Sequence, residues 1–233
     1  MNIAVIFAGG TGQRMNDKSK PKQFLELYGK PILVYTLERF QYHIEVDGII
    51  LVCISEWIEY AKTLIEKYQL DKVMAVVEGG KTGQESIYNG LKKAMEIYPE
   101  DSIVLIHDGV RPLIEKNVIS RAIDCVKKNG SAITVSPAIE TIITIEQLQV
   151  NQIIDRKVCQ LARAPQCFVL KNIFSMHVRA IEEGISDFID SVAMMQHYGF
   201  SIHTIEGNVD NIKITTPMDF HIFRALVDAK NEK

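Results

Sequence analysis

Two acid–base constellations stand out among the residues that could do chemistry: Asp108-Gly109-Val110-Arg111-Pro112 and, late in the chain, Asp210-Asn211-Ile212-Lys213. A third group opens the chain. There the apolar run Ile3–Phe7 and Ala8 meet Gly9, Gly10, Thr11 and Gly12, and Arg14 and the Pro21-Lys22 step follow. Glycines at the end of a buried strand let backbone N–H groups approach a phosphate chain closely, and nearby cations can neutralise it. Beside a triphosphate, a carboxylate such as Asp108 holds Mg²⁺, and an arginine such as Arg111 grips phosphate by two parallel hydrogen bonds. Asp210 and Lys213 repeat the theme. Together these residues predict a nucleoside-triphosphate site. The loop is not a Walker P-loop, because no Gly-Lys-Ser/Thr closes it. Nor is it a dinucleotide fingerprint: Met15 stands where a third small residue is needed, and Ile54-Ser55 replaces the acid expected after the second strand. His107 is expected to be structural rather than a base.

The elements that must position these residues follow a strand–loop–helix rhythm. Ile3–Phe7, Gly48–Ile54, Val73–Val77 and Ser102–Ile106 read as buried strands. Between them come helical patterns: one opened by Pro31, one over about Glu56–Tyr68, and one over Ser86–Met95 in which Gly90 lowers helix propensity. The rhythm predicts an α/β fold: a Rossmann-like, mostly parallel sheet with helices on both faces. Three strands end in the unusual sequences Gly9-Gly10-Thr11-Gly12, Glu78-Gly79-Gly80 and His107-Asp108-Gly109, and ligands in such sheets lie beyond the strands' carboxyl ends. From Ala132 the rhythm changes. Ile133–Val135 is a strand, and Thr141–Ile145 and Val150–Ile154 form a β-hairpin around Glu146-Gln147, a projecting arm spanning about 138–160. Helices over Lys171–Glu183 and Asp190–His197, a strand over Ser201–Ile205, a strand carrying Asp210 and Lys213, and a helix opened by Pro217 complete the chain. We expect one domain over residues 1–233.

Bulk properties narrow the function classes. A net charge of −3 argues against a nucleic-acid binder working through a broad basic surface. Four cysteines show no C-x-x-C spacing, and Cys53 and Cys125 lie in apolar contexts, as reduced core thiols do. There is no apolar run of membrane-spanning length and no leader pattern before the first strand, so no membrane partner and a cytoplasmic location are expected.

The ordered series A-G-G-T-G-Q-R-M, P-K-Q-F-L, E-G-G-K-T-G-Q-E-S-I-Y-N-G-L, H-D-G-V-R-P, A-P-Q-C-F and D-N-I-K-I-T-T-P resembles the cytidylyltransferase family containing 2-C-methyl-D-erythritol 4-phosphate cytidylyltransferase and ribitol-5-phosphate cytidylyltransferase. The resemblance spans nearly the whole chain. It implies CTP and a polyol phosphate as substrates, Mg²⁺ as metal, and a homodimer joined through the β-arm. The family's triphosphate loop falls on Ala8, Gly9, Gly10, Thr11, Gly12 and Arg14, and its catalytic lysine on Lys22. Its cytidine-recognising segment falls on Gly79, Gly80 and Ser86. Its metal-binding aspartate, also counted with the CTP site, is Asp108; Arg111 is placed on the polyol phosphate, and Lys213 joins the catalytic cations. Thr141 and Arg156 match arm residues reaching the neighbouring subunit's site, and Asp190 and Asp210 fall with the acceptor. Four positions depart from the erythritol-phosphate pattern: Gly83 replaces a basic residue, Ala164 a threonine, Val110 an alanine, and Ile189 the threonine before Asp190. Three of these lie on the acceptor side, so CTP-dependent transfer is implied more firmly than the polyol. Isoprenoid-precursor supply and CDP-polyol supply for a teichoic acid or capsule polymer both fit. The alternatives are a sugar-1-phosphate nucleotidyltransferase using another nucleotide and a nucleotide-binding regulator without turnover.

Overall fold

A computed structural model describes residues 1–9 and 20–231. Gly10, Thr11, Gly12 and Arg14 of the sequence-predicted site lie outside the described residues. In chain order the elements are β1 (Asn2–Ala8), β2 (Glu26–Leu27), β3 (Lys30–Pro31), α1 (Ile32–Gln41), β4 (Gly48–Cys53), α2 (Ile58–Lys67), β5 (Val73–Glu78), α3 (Gly83–Ile97) and β6 (Ile103–Asp108). They continue with α4 (Lys116–Asn129), β7 (Ser131–Pro137), β8 (Ile142–Glu146), β9 (Gln149–Ile154), β10 (Gln160–Val169), α5 (Leu170–Glu182), α6 (Ser191–His197), β11 (Thr204–Glu206) and α7 (Pro217–Asn231).

One seven-stranded sheet has the order β11-β7-β10-β6-β1-β4-β5. β1 pairs in parallel with both β4 and β6, and β5 extends the parallel half. β10 alone runs antiparallel, wedged between β6 and β7. The alternating side chains of β1 explain the two layers. Ala4, Ile6 and Ala8 face a cluster built from α1, α2 and α4, whereas Ile3 and Val5 face α3, α5 and α6. A third, smaller cluster seats Phe223 of α7 on Ile32, Val110 and Ile214.

Gly90 has a structural reason. A Cβ there would lie 2.6 Å from Val5 Cγ1 and 2.7 Å from Val52 Cγ2, so α3 approaches the sheet more closely than any side chain permits. The hairpin β8–β9 forms its own two-stranded sheet, turning through Gln147 and Leu148 at φ 49° and 65°. Its Ile145, Leu148, Val150 and Ile153 are exposed.

Three expectations need correction. Asp210 and Lys213 are not on a strand: Ile212 N–H bonds back to Asp210 O at 2.7 Å, a local turn that leaves the segment no ladder to join. β10, ten residues in the sheet's interior, is a strand missing from the elements expected between the arm and the helix at Lys171. The register of β10 against β7 shifts between Ala162 and Gln166, so Pro165 falls in an irregularity that lacks a ladder N–H. The last strand is shorter and later than Ser201–Ile205, covering Thr204–Glu206. No described helix is long and apolar enough to cross a membrane.

Candidate active site

The carboxyl ends of β1, β5 and β6 converge, as the three strand-end motifs require. At the β1–β5 side lies a hollow of about 690 Å³ lined by Gly9, Gly79, Gly80, Thr82, Gly83 and Ser86, among others. The glycines are there because the backbones nearly touch: a Cβ on Gly79 would sit 3.2 Å from Ser86 Oγ and 3.6 Å from Gly9 Cα. Ser86 holds this loop together. Its hydroxyl accepts from Gly80 N–H (3.0 Å) and donates to Thr82 O (2.9 Å). Thr82 caps α3 by accepting from Glu85 N–H, and the Glu85 carboxylate accepts from Lys81 N–H at 2.7 Å. The capped N-terminus of a 15-residue helix, with its positive end of the dipole, therefore borders the hollow. On the other side of β1, Lys22 opens a short 3-10 turn, Lys22–Phe24. Buried Gln23 donates to Ala8 O at 2.6 Å, tying that turn to the end of the strand.

At the end of β6, buried Asp108 is held between two cations. Arg111 Nε reaches Asp108 Oδ2 at 2.7 Å, and Lys213 Nζ reaches Oδ1 at 2.6 Å. Burial alone would raise the Asp108 pKa, but the charges of Lys213 and Arg111 outweigh it and hold the carboxyl below its ordinary value. Arg111 also donates from Nη1 to Asn211 O (2.8 Å), and Asn211 in turn donates to Ala164 O (3.0 Å). The D-N-I-K segment is thus fastened by its buried asparagine so that its lysine arrives at the aspartate. His107 is fully buried, bonds through Nε2 to Arg111 O at 3.1 Å, and has its pKa pushed down to about 4, chiefly by burial. It is a neutral strut for the Arg111 turn. Asp108, Arg111 and Lys213 line a second hollow of about 510 Å³, roofed by the 186–191 segment and shared with the first at Phe7, Thr82 and Gly83. Two adjoining pockets that share a wall, one rich in backbone N–H and one rich in cations, suit two polyanions brought end to end.

A family model for 2-C-methyl-D-erythritol 4-phosphate cytidylyltransferase matches residues 2–229. The chain belongs to that family. It is a cytidylyltransferase, a nucleotidyltransferase in enzyme class. A ribitol-5-phosphate cytidylyltransferase of Vibrio parahaemolyticus is 48% identical over 231 residues, covering 99% of this chain and 97% of that one. A 2-C-methyl-D-erythritol 4-phosphate cytidylyltransferase of Clostridium novyi is 37% identical over 229 residues, covering 97% and 96%. The crystal structure of 4-diphosphocytidyl-2C-methyl-D-erythritol synthase from Anaerococcus prevotii superposes with a TM-score of 0.84 at 27% identity, covering 97% of this chain and 96% of that one.

Not every residue expected in the cytidylyltransferase site gathers there within one chain. Gly9, Gly79, Gly80 and Ser86 line the first hollow, and Asp108, Arg111, Asp190 and Lys213 line the second. Asp190 is engaged twice, capping α6 through Ala193 N–H (2.8 Å) and accepting from Gln166 Nε2 (2.9 Å). Asp210 lines neither hollow, and neither do Thr141 and Arg156 at the base of the arm, where Arg156 donates to Ile139 O at 3.0 Å. Sequence reasoning missed Arg163, Gln166 and Gln84. Gln84 pins the roof of the second hollow, donating to Ile185 O (2.9 Å) and accepting from Phe188 N–H (3.2 Å). Gln84 and Gln166 lie inside motifs already singled out and Arg163 stands one residue before A-P-Q-C-F, so the signal was present.

Proposed function

We propose that this cytidylyltransferase joins CMP from CTP to the phosphate of a pentitol phosphate, ribitol 5-phosphate or a close alditol phosphate, releasing pyrophosphate. The carrying observation is the buried Asp108 clamped between Arg111 and Lys213, next to a hollow walled by glycine backbone. The pentitol is favoured over the erythritol phosphate by 48% identity to the ribitol-5-phosphate enzyme of Vibrio parahaemolyticus against 37% to the erythritol-phosphate enzyme of Clostridium novyi, and by Ala164, Gly83 and Ile189 on the acceptor side. A phosphate monoester, with a second pKa of about 6, is already a competent oxygen nucleophile at neutral pH and needs no general base. What it needs is relief of repulsion as it approaches the α-phosphate of CTP and a fixed in-line geometry. Arg14 and Lys22 would neutralise the triphosphate, and Lys213 the charge that develops during attack. The backbone at Ala8–Gly12 and Gly79–Gly80 would cradle CTP.

The residues present suit Mg²⁺. Among the described residues no three His, Cys, Asp or Glu side chains gather as a metal cage. A single buried carboxylate is the donor set expected for an ion that keeps its waters and rides in on substrate phosphates. Asp108 would hold it through lone pairs that Arg111 and Lys213 do not use, and the ion would supply charge neutralisation between the phosphates.

The homodimer is part of the same proposal. The arm's exposed Ile143, Ile145, Leu148, Val150 and Ile153 support it, since such a face invites cover. Through it Thr141 and Arg156 would reach the partner's acceptor pocket. Pyrophosphate release from CTP, scored with ribitol, arabinitol, mannitol and 2-C-methyl-D-erythritol phosphates, tests the reading. Turnover fastest with the ribitol ester is expected; turnover confined to the erythritol ester, or to UTP in place of CTP, would refute it.

A further inference from the structure

Arg111 is the residue expected to grip the acceptor's phosphate, yet its guanidinium is largely committed. Its Nε is on Asp108, its Nη1 is on a backbone carbonyl, and the residue is 8% exposed. A second guanidinium lines the same hollow. Arg163 sits in the irregular stretch of β10 between Ala162 and Gln166, where loss of register re-aims side chains. Its Nε donates to the Oγ of buried Ser136 on β7 at 3.0 Å, which anchors the group without neutralising it. Among the described residues no carboxylate pairs with Arg163, and Nη1 and Nη2 carry no hydrogen bond. Burial, and then the positive charge of Arg111, weigh against its charged form, and a bound anion would relieve that stress. An arginine held rigid by one nitrogen, with two parallel donors left over, matches the fork of a phosphate.

We propose that Arg163 grips the acceptor's phosphate and thereby selects phosphorylated polyols over free ones, with Ser136 as its positioning residue. The proposal rests on the polyol-phosphate reading above. Calorimetric affinities of ribitol 5-phosphate, ribitol and CTP for wild type, Arg163→Leu, Arg163→Lys and Ser136→Ala test it, with pyrophosphate release measured in parallel. Arg163→Leu should weaken ribitol 5-phosphate about 10- to 100-fold, the span of a lost charge-assisted hydrogen bond. Ribitol and CTP should change less than about 2-fold on the same scale. Arg163→Lys should recover part of the loss, and Ser136→Ala should fall between. An unchanged affinity for ribitol 5-phosphate in Arg163→Leu would overturn the assignment, and so would an equal loss for CTP. A wild type that binds ribitol 5-phosphate through Arg163 but releases no pyrophosphate would sustain this inference and sink the parent reading. A wild type that turns over with its acceptor affinity indifferent to Arg163 would do the reverse.

Discussion

Asp108 shows how one buried carboxylate can gather two cations at the end of a strand. With a cation against each oxygen it is not an anion-repelling group in the pocket but the negative pole that keeps Arg111 and Lys213 in place. Asp108→Asn should lower turnover by at least about 100-fold, because both cations lose their anchor. It should also lower unfolding free energy by about 2 kcal/mol, less than for a fully buried pair because Lys213 is partly exposed. Urea titration alongside pyrophosphate release checks both. Two buried histidines set a pH limit. His107 and His177 have pKa values lowered from 6.5 to about 4 by burial, and neither His177 nitrogen has a partner among the described residues. Because the unfolded chain binds these protons first, stability is intact above the unfolded pKa and is lost as pH falls from 6.5 towards 4. Each fully titrated site removes roughly 3 kcal/mol. His177→Leu should flatten the urea midpoint's dependence on pH across that window; an unaltered slope would mean that His177 is not one of the groups responsible.

At the scale of elements, helix α3 is governed by packing rather than propensity. Alanine is worth up to about 1 kcal/mol more than glycine in a helix interior. At Gly90, however, the new methyl would push into Val5 and Val52 of two central strands, neither of which has room to move. Gly90→Ala should therefore be net destabilising by about 1–3 kcal/mol, as overpacked cores are. Thermal melts would show it, and Val5→Ala in the same chain should give a positive coupling energy by relieving the contact. The same helix carries the Thr82 cap and Gln84 at its N-terminal end, so a shift of α3 would disturb the walls of both hollows. A fall in kcat accompanying the loss of stability in Gly90→Ala is the expected kinetic sign.

At the scale of the molecule, the proposed dimer turns on the arm. β8 and β9 present isoleucines and valine outward over a two-stranded sheet, which is marginal in water when uncovered. The doubly substituted Ile145→Lys, Ile153→Lys chain should elute as a monomer, against the dimer proposed for wild type, with unchanged helical circular dichroism. If Thr141 and Arg156 serve the neighbouring pocket, that monomer should also lose most of its turnover, by about 10-fold or more for a site missing positioning contacts. Light scattering at micromolar concentration reads the mass. A monomeric wild type at that concentration would remove the arm from the mechanism.

Local sequence determined the parallel half of the sheet, because fully buried strands read as unbroken apolar runs and glycine loops mark their ends. It also pointed to Gly79, Gly80, Asp108 and Lys213, which the structure gathers at one edge of the sheet as the lining of two adjoining hollows. Only the tertiary structure decided the rest. β10 lies mid-sheet through an irregularity that no periodicity announces, and Asp210–Lys213 is fastened by Asn211 to a strand distant in sequence rather than by a ladder of its own. Whether Arg111 or Arg163 is left with donors to offer depends on which side chains are already bonded. That is a property of three strands meeting in space, and it has no local signature in the chain.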